Sequence, residues 1–266
     1  MSTSPVIIRA SSFGSLFDCP ARWIAINLEG RQVPQNGKAA LGTALHTGTA
    51  VFDGERAKGQ VPSVSAATDA AVEAVRRPSD ETDWDGEQVN AEKIAASLTE
   101  KYCREESDNH FFVAVEVNVE ALHLTDLNIT LTGTADRVAF DEMGYGVCDI
   151  KSGKQIVGTD GTVRTAGHAA QLGVYELVAE AATGLEIRSP AKIIGLQTNL
   201  TPEKQRIGVG EITGAREVLL GDADNTGLLT TAASLVHGAI PPWGNPKSMM
   251  CHVRYCPNFQ TCFWRK

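Results

Sequence analysis

Between residues 111 and 150 one texture occurs three times over: residues 111–121, 128–140 and 144–150 are each rich in Val, Ile and Thr, with short turn-like segments between them. Such a run predicts consecutive antiparallel-looking strands and forces a sheet into the middle of the chain. Helical periodicity surrounds it. In residues 13–28, Phe13, Leu16, Phe17, Trp23 and Ile24 recur at roughly helical spacing behind Ser11 and Ser12, which offer a serine cap, and Pro20 divides the segment. Residues 39–57, 64–77 and 89–106 predict three more helices, with an acidic, exposed connection at 78–86. After the strands come a glycine-rich loop at 153–167, a helix at 169–182, a strand at 191–200 and a mostly helical stretch at 212–237. That order predicts an α/β sandwich around a mixed central sheet.

With 266 residues and 42% hydrophobic content, the chain can bury a substantial core. We expect one domain over 1–266, with a helical part at 11–109, a sheet core at 110–210, and a helix and cysteine tail at 211–266. No run of about 18 apolar residues is present to span a bilayer, and residues 1–9 lack the charged-then-apolar order of a signal peptide. The expectation is a cytoplasmic protein without a membrane partner. The net charge of -8 gives the whole molecule no attraction for a polyanion, so nucleic acid would need a locally basic groove. Carboxylates that collect divalent metal are themselves part of that negative count.

The segments Gly133-Thr-Ala-Asp136-Arg-Val and Val147-Cys-Asp149-Ile-Lys151-Ser-Gly place two acids and a lysine on neighbouring strands. Alternation puts Asp149 and Lys151 on one face and turns Ile150 into the core. Two carboxylates can hold one or two Mg²⁺ or Mn²⁺ ions that polarise a phosphate and acidify a water, while a lysine orients that water or offsets developing charge. Glu116, on the preceding strand, is an accessory acid. Lys151, Lys154 and Arg164 flank this site in sequence and Arg137 adjoins Asp136, which makes these four the candidates for phosphate contact.

The pattern G-x-x-D, then D-x-K, then Gln171-Leu-Gly-Val-Tyr175 resembles the RecB/AddB branch of the PD-(D/E)XK nucleases. The upstream Gly42-Thr-Ala-Leu-His46 matches the histidine those proteins carry. The resemblance implies a restriction-endonuclease-like core and a metal site of His46, Asp136 and Asp149. Lys151 would complete the catalytic set, with Gln171 and Tyr175 lining the DNA path. On a helix, Gly42 and His46 share a face, so the glycine would let the backbone approach the sheet. No P-loop pattern occurs, so unwinding of duplex would have to come from a helicase or recombination partner. The implied activity is a metal-dependent exonuclease acting on DNA ends or single strands in recombination, repair or CRISPR adaptation.

The same resemblance covers Cys19 and the tail cysteines Cys251, Cys256 and Cys262, which in AddB-type and CRISPR-adaptation nucleases are an iron-sulfur staple. Four thiolates are the ligand set of a [4Fe-4S] cluster, which would join the N-terminal helix to the tail. The first tail spacing is C-x4-C where the family has C-x2-C. Zinc on the same thiolates and unligated cysteines stay open. Cys103 and Cys148 read as ordinary core residues. A non-cleaving DNA-binding module and a redox-sensing iron-sulfur protein are the alternatives in function.

Overall fold

The three expected strands are consecutive members of a six-stranded sheet in a computed structural model that describes residues 4–265; residues 1–3 of the opening segment lie outside it. β4 (Phe112–Leu124), β5 (Ile129–Asp141) and β6 (Gly144–Gly153) run antiparallel in sequence order. β7 (Ala191–Gln197) then joins β6 in parallel, and β8 (Arg206–Ile212) joins β7 antiparallel. A short β1 (Val6–Arg9), too brief to register in the sequence, adds to β5 in parallel. Among the described residues no helix is long and apolar enough to cross a membrane.

Helices cover both faces. On one side lie α1 (Ala10–Asp18), α2 (Pro20–Asn27), α6 (Ala169–Thr183), α7 (Ala215–Leu220) and α8 (Leu228–Val236). They pack over a core that includes Phe13, Trp23, Leu131, Ala135, Leu172 and Ile193. The opposite side carries α3 (Gly37–Ala57), α4 (Val64–Arg76) and α5 (Gln88–Glu105), over Leu45, Leu98, Tyr102, Ile150 and Ile194. A two-residue pair, β2 (Gln35–Asn36) and β3 (Thr82–Asp83), ties the loops before α3 and α5 together. The expected α/β sandwich around a mixed sheet is the fold observed.

Three local expectations are corrected. Ser11 and Ser12 do not precede α1 but sit in its first turn, where the Ser12 hydroxyl donates back to the Arg9 carbonyl at 3.0 Å. The strand expected over 191–200 stops at Gln197. The stretch 212–237 is not one helix: β8 ends at Ile212, α7 has six residues, and a turn closed by the Gly221–Thr226 bridge separates it from α8. β8 was hidden by its two glycines, which weaken the strand signal. Both are needed for packing, because a Cβ on Gly208 would lie 2.6 Å from the Gly161 carbonyl oxygen and one on Gly210 2.7 Å from Thr165 Cγ2.

The sheet is broken at one place. β4 runs along one edge of β5; on the other edge β1 pairs with residues 129–132 and β6 with residues 137–141. Residues 133–136 have no ladder partner there among the described residues. The facing of β5 also shifts at this gap. Leu131 and Ala135 belong to the core under α1 and α6, whereas Ala139, of the same parity, belongs to the other core. β4 does the same between Val117 and Val115. The residues at the two switch points are Asp136 and Glu116, and Glu116 has φ +52°, a left-handed conformation rare for a residue with a side chain.

Candidate active site

Asp136 sits where β5 and β6 part. Its carboxylate, not its backbone, continues the ladder: the Ile150 N–H donates to Asp136 Oδ2 at 2.7 Å. The next β6 side chains then diverge as alternation requires, Ile150 into the core beneath α3 and Asp149 and Lys151 to the opposite face. Lys151 Nζ lies 2.7 Å from Asp149 Oδ2. Asp149 is 1% exposed, and its Oδ1 has no hydrogen-bond partner among the described residues.

His46 reaches the same place from α3, with Nδ1 3.1 Å from Asp136 Oδ2. Gly42, one turn earlier, lets the helix close on β6: a Cβ there would lie 3.2 Å from Ser152 Oγ. From α6, Gln171 Nε2 donates to the Tyr175 hydroxyl at 2.9 Å. Tyr175 meets the site past Gly133, where an added Cβ would stand 3.6 Å from its ring and 2.9 Å from Ala10 Cβ. Glu116 faces the cluster from β4, with Oε1 3.4 Å from Arg137 Nη1.

The two buried carboxyls are driven apart in acidity. Burial opposes the charge on Asp136, yet the His46 imidazole, the Ile150 N–H and the Arg137 guanidinium outweigh it and hold the group down at about 2. Asp149 goes the other way, raised to about 6 by burial and by the charge of Asp136, with Lys151 only partly offsetting them. His46 is desolvated, which works against its cation, but Asp136 prevails and raises it. Burial and the Asp136 charge also raise Glu116. Splitting of this kind separates the roles of neighbouring acids.

The expected phosphate contacts fare differently. Arg137 is corrected: it is fully buried and has no surface to offer DNA. The shift in facing at Asp136 turns it toward α3, where Nε donates to Asp53 Oδ2 at 2.8 Å and Nη2 to Thr49 Oγ1 at 3.2 Å. Asp53 in turn accepts from the Tyr102 hydroxyl at 2.7 Å and the Ser107 hydroxyl at 2.5 Å. The sequence reading missed Asp53, although it lies seven residues after His46 and so on the same face of α3. Lys154 and Arg164 are exposed, Arg164 bonding Gln155 Oε1 at 3.2 Å.

The four cysteines of the expected staple converge. Cys19, Cys251, Cys256 and Cys262 line one pocket, together with Arg22 and Arg265, and the Asn245 N–H points to Cys19 Sγ at 3.4 Å. Arg22 Nε donates to the Tyr255 carbonyl and Arg31 Nη1 to Asn258 Oδ1, fixing the tail to α2 and the segment after it. Cys103 and Cys148 are elsewhere and buried, their thiols pushed up to about 12 by burial. Among the described residues no three His, Cys, Asp or Glu side chains form a ready-made cage for an ion. The chemistry of the donors fits nonetheless: an unsatisfied buried carboxylate beside a second one suits a hard divalent cation, and four thiols converging on one pocket suit iron-sulfur or zinc.

Two carboxylates and a lysine gathered at the break of a mixed sheet form a site of the phosphodiester-cleaving class. The chain belongs to the PD-(D/E)XK nuclease superfamily, whose sequence profile matches residues 10–263. Its structure is similar to that of a "Putative exonuclease" from Eubacterium rectale, with 12% identity, 92% of this chain and 87% of that chain covered, and a TM-score of 0.55. At that identity the likeness speaks for the fold. The structure of SSO0001 overlaps more loosely, at 13% identity, 100% and 90% coverage and a TM-score of 0.42. No protein with curated annotation matches the sequence.

Proposed function

We propose that the protein is an exonuclease of the RecB/AddB branch, hydrolysing DNA at ends or in single strands with Mg²⁺ or Mn²⁺, and that residues 1–266 act as one nuclease domain. The observation that carries this reading is the buried Asp149 carboxylate, with one oxygen unsatisfied, set beside Asp136, His46 and Lys151. Asp136, Asp149 and His46 would hold the cation, with Glu116 as an accessory acid. When bound, the cation supplies charge for the scissile phosphate and acidifies the attacking water. Lys151 orients that water, and its ammonium is already placed on the Asp149 side of the site. Gln171 fixes the Tyr175 hydroxyl, which leaves the Tyr175 ring to position the strand. Lys154 and Arg164 supply exposed cations for phosphate.

The cysteine pocket supports a second metal centre, for which a [4Fe-4S] cluster is our first choice and zinc the other outcome. Its role in this reading is to join α1 and α2 to the tail. The test of the main reading is digestion of end-labelled single- and double-stranded DNA with each divalent ion. We expect shortening from ends with Mg²⁺ or Mn²⁺ and none with chelator. Cleavage at near wild-type rate in Asp149→Ala would overturn the assignment.

A further inference from the structure

The face of β5 that carries Asp136 does not end there. Leu131, Gly133 and Ala135 turn toward α1 and α6, so alternation turns Thr132 and Thr134 to the opposite face, the one from which α3 presents His46. Thr134 pairs across the ladder with Asn118 of β4, two residues beyond Glu116, and Thr132 pairs with Arg9 of β1. Arg9, Asn118, Thr132 and Thr134, with Ser11, Val119, Gly133 and Tyr175, line an open groove of about 570 Å³ that reaches Thr134, two residues before Asp136 on β5. Its size falls within the roughly 300–1,000 Å³ of small-ligand sites, room for a nucleotide or two.

Two properties of the lining point to its occupant. The side chains of Arg9, Ser11, Asn118, Thr132 and Thr134 make no hydrogen bond or ion pair among the described residues, so an array of donors is left facing one space. The lining also holds one cation and no acid, in a protein of net charge -8. Hydroxyl, amide and guanidinium groups without a dedicated base-reading pair are the set that contacts phosphate and sugar. Two-residue steps along a strand are about 6.7 Å apart, which gives a regular row of contacts leading away from Asp136.

We propose that this groove holds the sugar-phosphate backbone of one DNA strand on its way to or from the carboxylates, independent of sequence. The proposal rests on the nuclease reading for its substrate class. The residues that act are Arg9, Asn118, Thr132 and Thr134, with the Tyr175 ring at the inner end.

The test is binding of labelled oligothymidylates of increasing length, single-stranded and annealed to oligoadenylate, in Ca²⁺ over a salt series, with cleavage rates of the same oligomers in Mg²⁺. Arg9→Ala and the double variant Thr132→Val/Thr134→Val should bind a ten-residue single strand about tenfold more weakly. The loss should grow with oligomer length, and Arg9→Ala should make the salt slope shallower by about 0.7. A fold defect would weaken all lengths alike, and circular dichroism would detect it. Wild-type binding, slope and length dependence in both variants would overturn the groove while leaving cleavage, and so the nuclease reading, intact. Duplex bound as tightly and with the same dependence on Arg9 would overturn the single-strand assignment. If no DNA is cleaved but binding still depends on Arg9 and length, the nuclease reading fails and the groove stands.

Discussion

Arg137 Nε donates to Asp53 Oδ2 at 2.8 Å, and neither side chain has any exposure to solvent. The pair joins α3, which carries His46, to β5, which carries Asp136, and Arg137 Nη1 also donates to the Asp136 carbonyl at 2.7 Å. It therefore fixes the spacing of two proposed ligands from behind. Removing one partner leaves a charge buried and uncompensated. Asp53→Ala and Arg137→Ala are each expected to lose about 3–5 kcal/mol of stability in chemical denaturation. An Asp53→Leu/Arg137→Met double variant should recover much of that loss. A loss below about 1 kcal/mol in either single variant would contradict the structural role.

The raised pKa of Asp149 is a stability statement as well as a chemical one. A carboxyl lifted from 3.8 to about 6 on folding binds more protons in the folded state, so its contribution worsens as pH rises through that window, by at most about 3 kcal/mol at neutral pH. Asp149→Asn is expected to abolish cleavage and yet raise the melting temperature of the metal-free protein by a few degrees at pH 7.5. Calorimetry at pH 7.5 and pH 4 checks it. The gain should shrink at the lower pH, and a destabilised variant at pH 7.5 would refute the prediction.

Cation binding should be coupled to proton release. Burial and Asp136 raise Asp149, while Asp136 raises His46 against the opposing effect of burial, so both tend to hold protons where an ion would sit. Affinity for Ca²⁺ is expected to fall as pH drops from 7.5 through 6, by about tenfold per pH unit for each proton displaced. Titration calorimetry in buffers of different ionisation enthalpy counts the protons. Affinity constant from pH 7.5 to 5 would mean that these two groups are not ligands.

Protein prepared without oxygen is expected to be brown, with the broad visible absorbance of thiolate-to-iron charge transfer. Cys19→Ser and Cys256→Ser should each lose the metal and Cys103→Ser should keep it, as iron and zinc analysis will tell. Colourless protein with stoichiometric zinc would replace the cluster with a zinc staple. Full iron in Cys251→Ser would remove that residue from the ligand set.

Most of the fold could be read from periodicity because each long element carries one face of a core. The 21 residues of α3 and the 13 of β5 alternate or repeat over enough positions to declare themselves. β1, with four residues, has no such length, and β8 trades side chains for glycines that let the loop at 157–165 close over it. At the site, Asp149 and Lys151 were legible because β6 alternates normally. Arg137 was not, since adjacency to Asp136 suggested a shared surface that the shift in facing takes away. The groove residues had a signal of their own in Thr132-x-Thr134-x-Asp136, an alternation that points back along the strand from the acid.

The paired switch at Glu116 and Asp136 is, in the language of crystals, a phase boundary in the pleat. The β4–β5 register runs through it without a slip, from Ala114–Val138 to Val119–Gly133, so the two strands turn over together. On the other edge of β5 the Asp136 carboxylate fills the opening by accepting the Ile150 N–H. Because no residue is inserted or missing at the boundary, replacing the acid at position 136 leaves the pairing on either side of it in place. The position of the site along the strand is set by where the two strands turn over together.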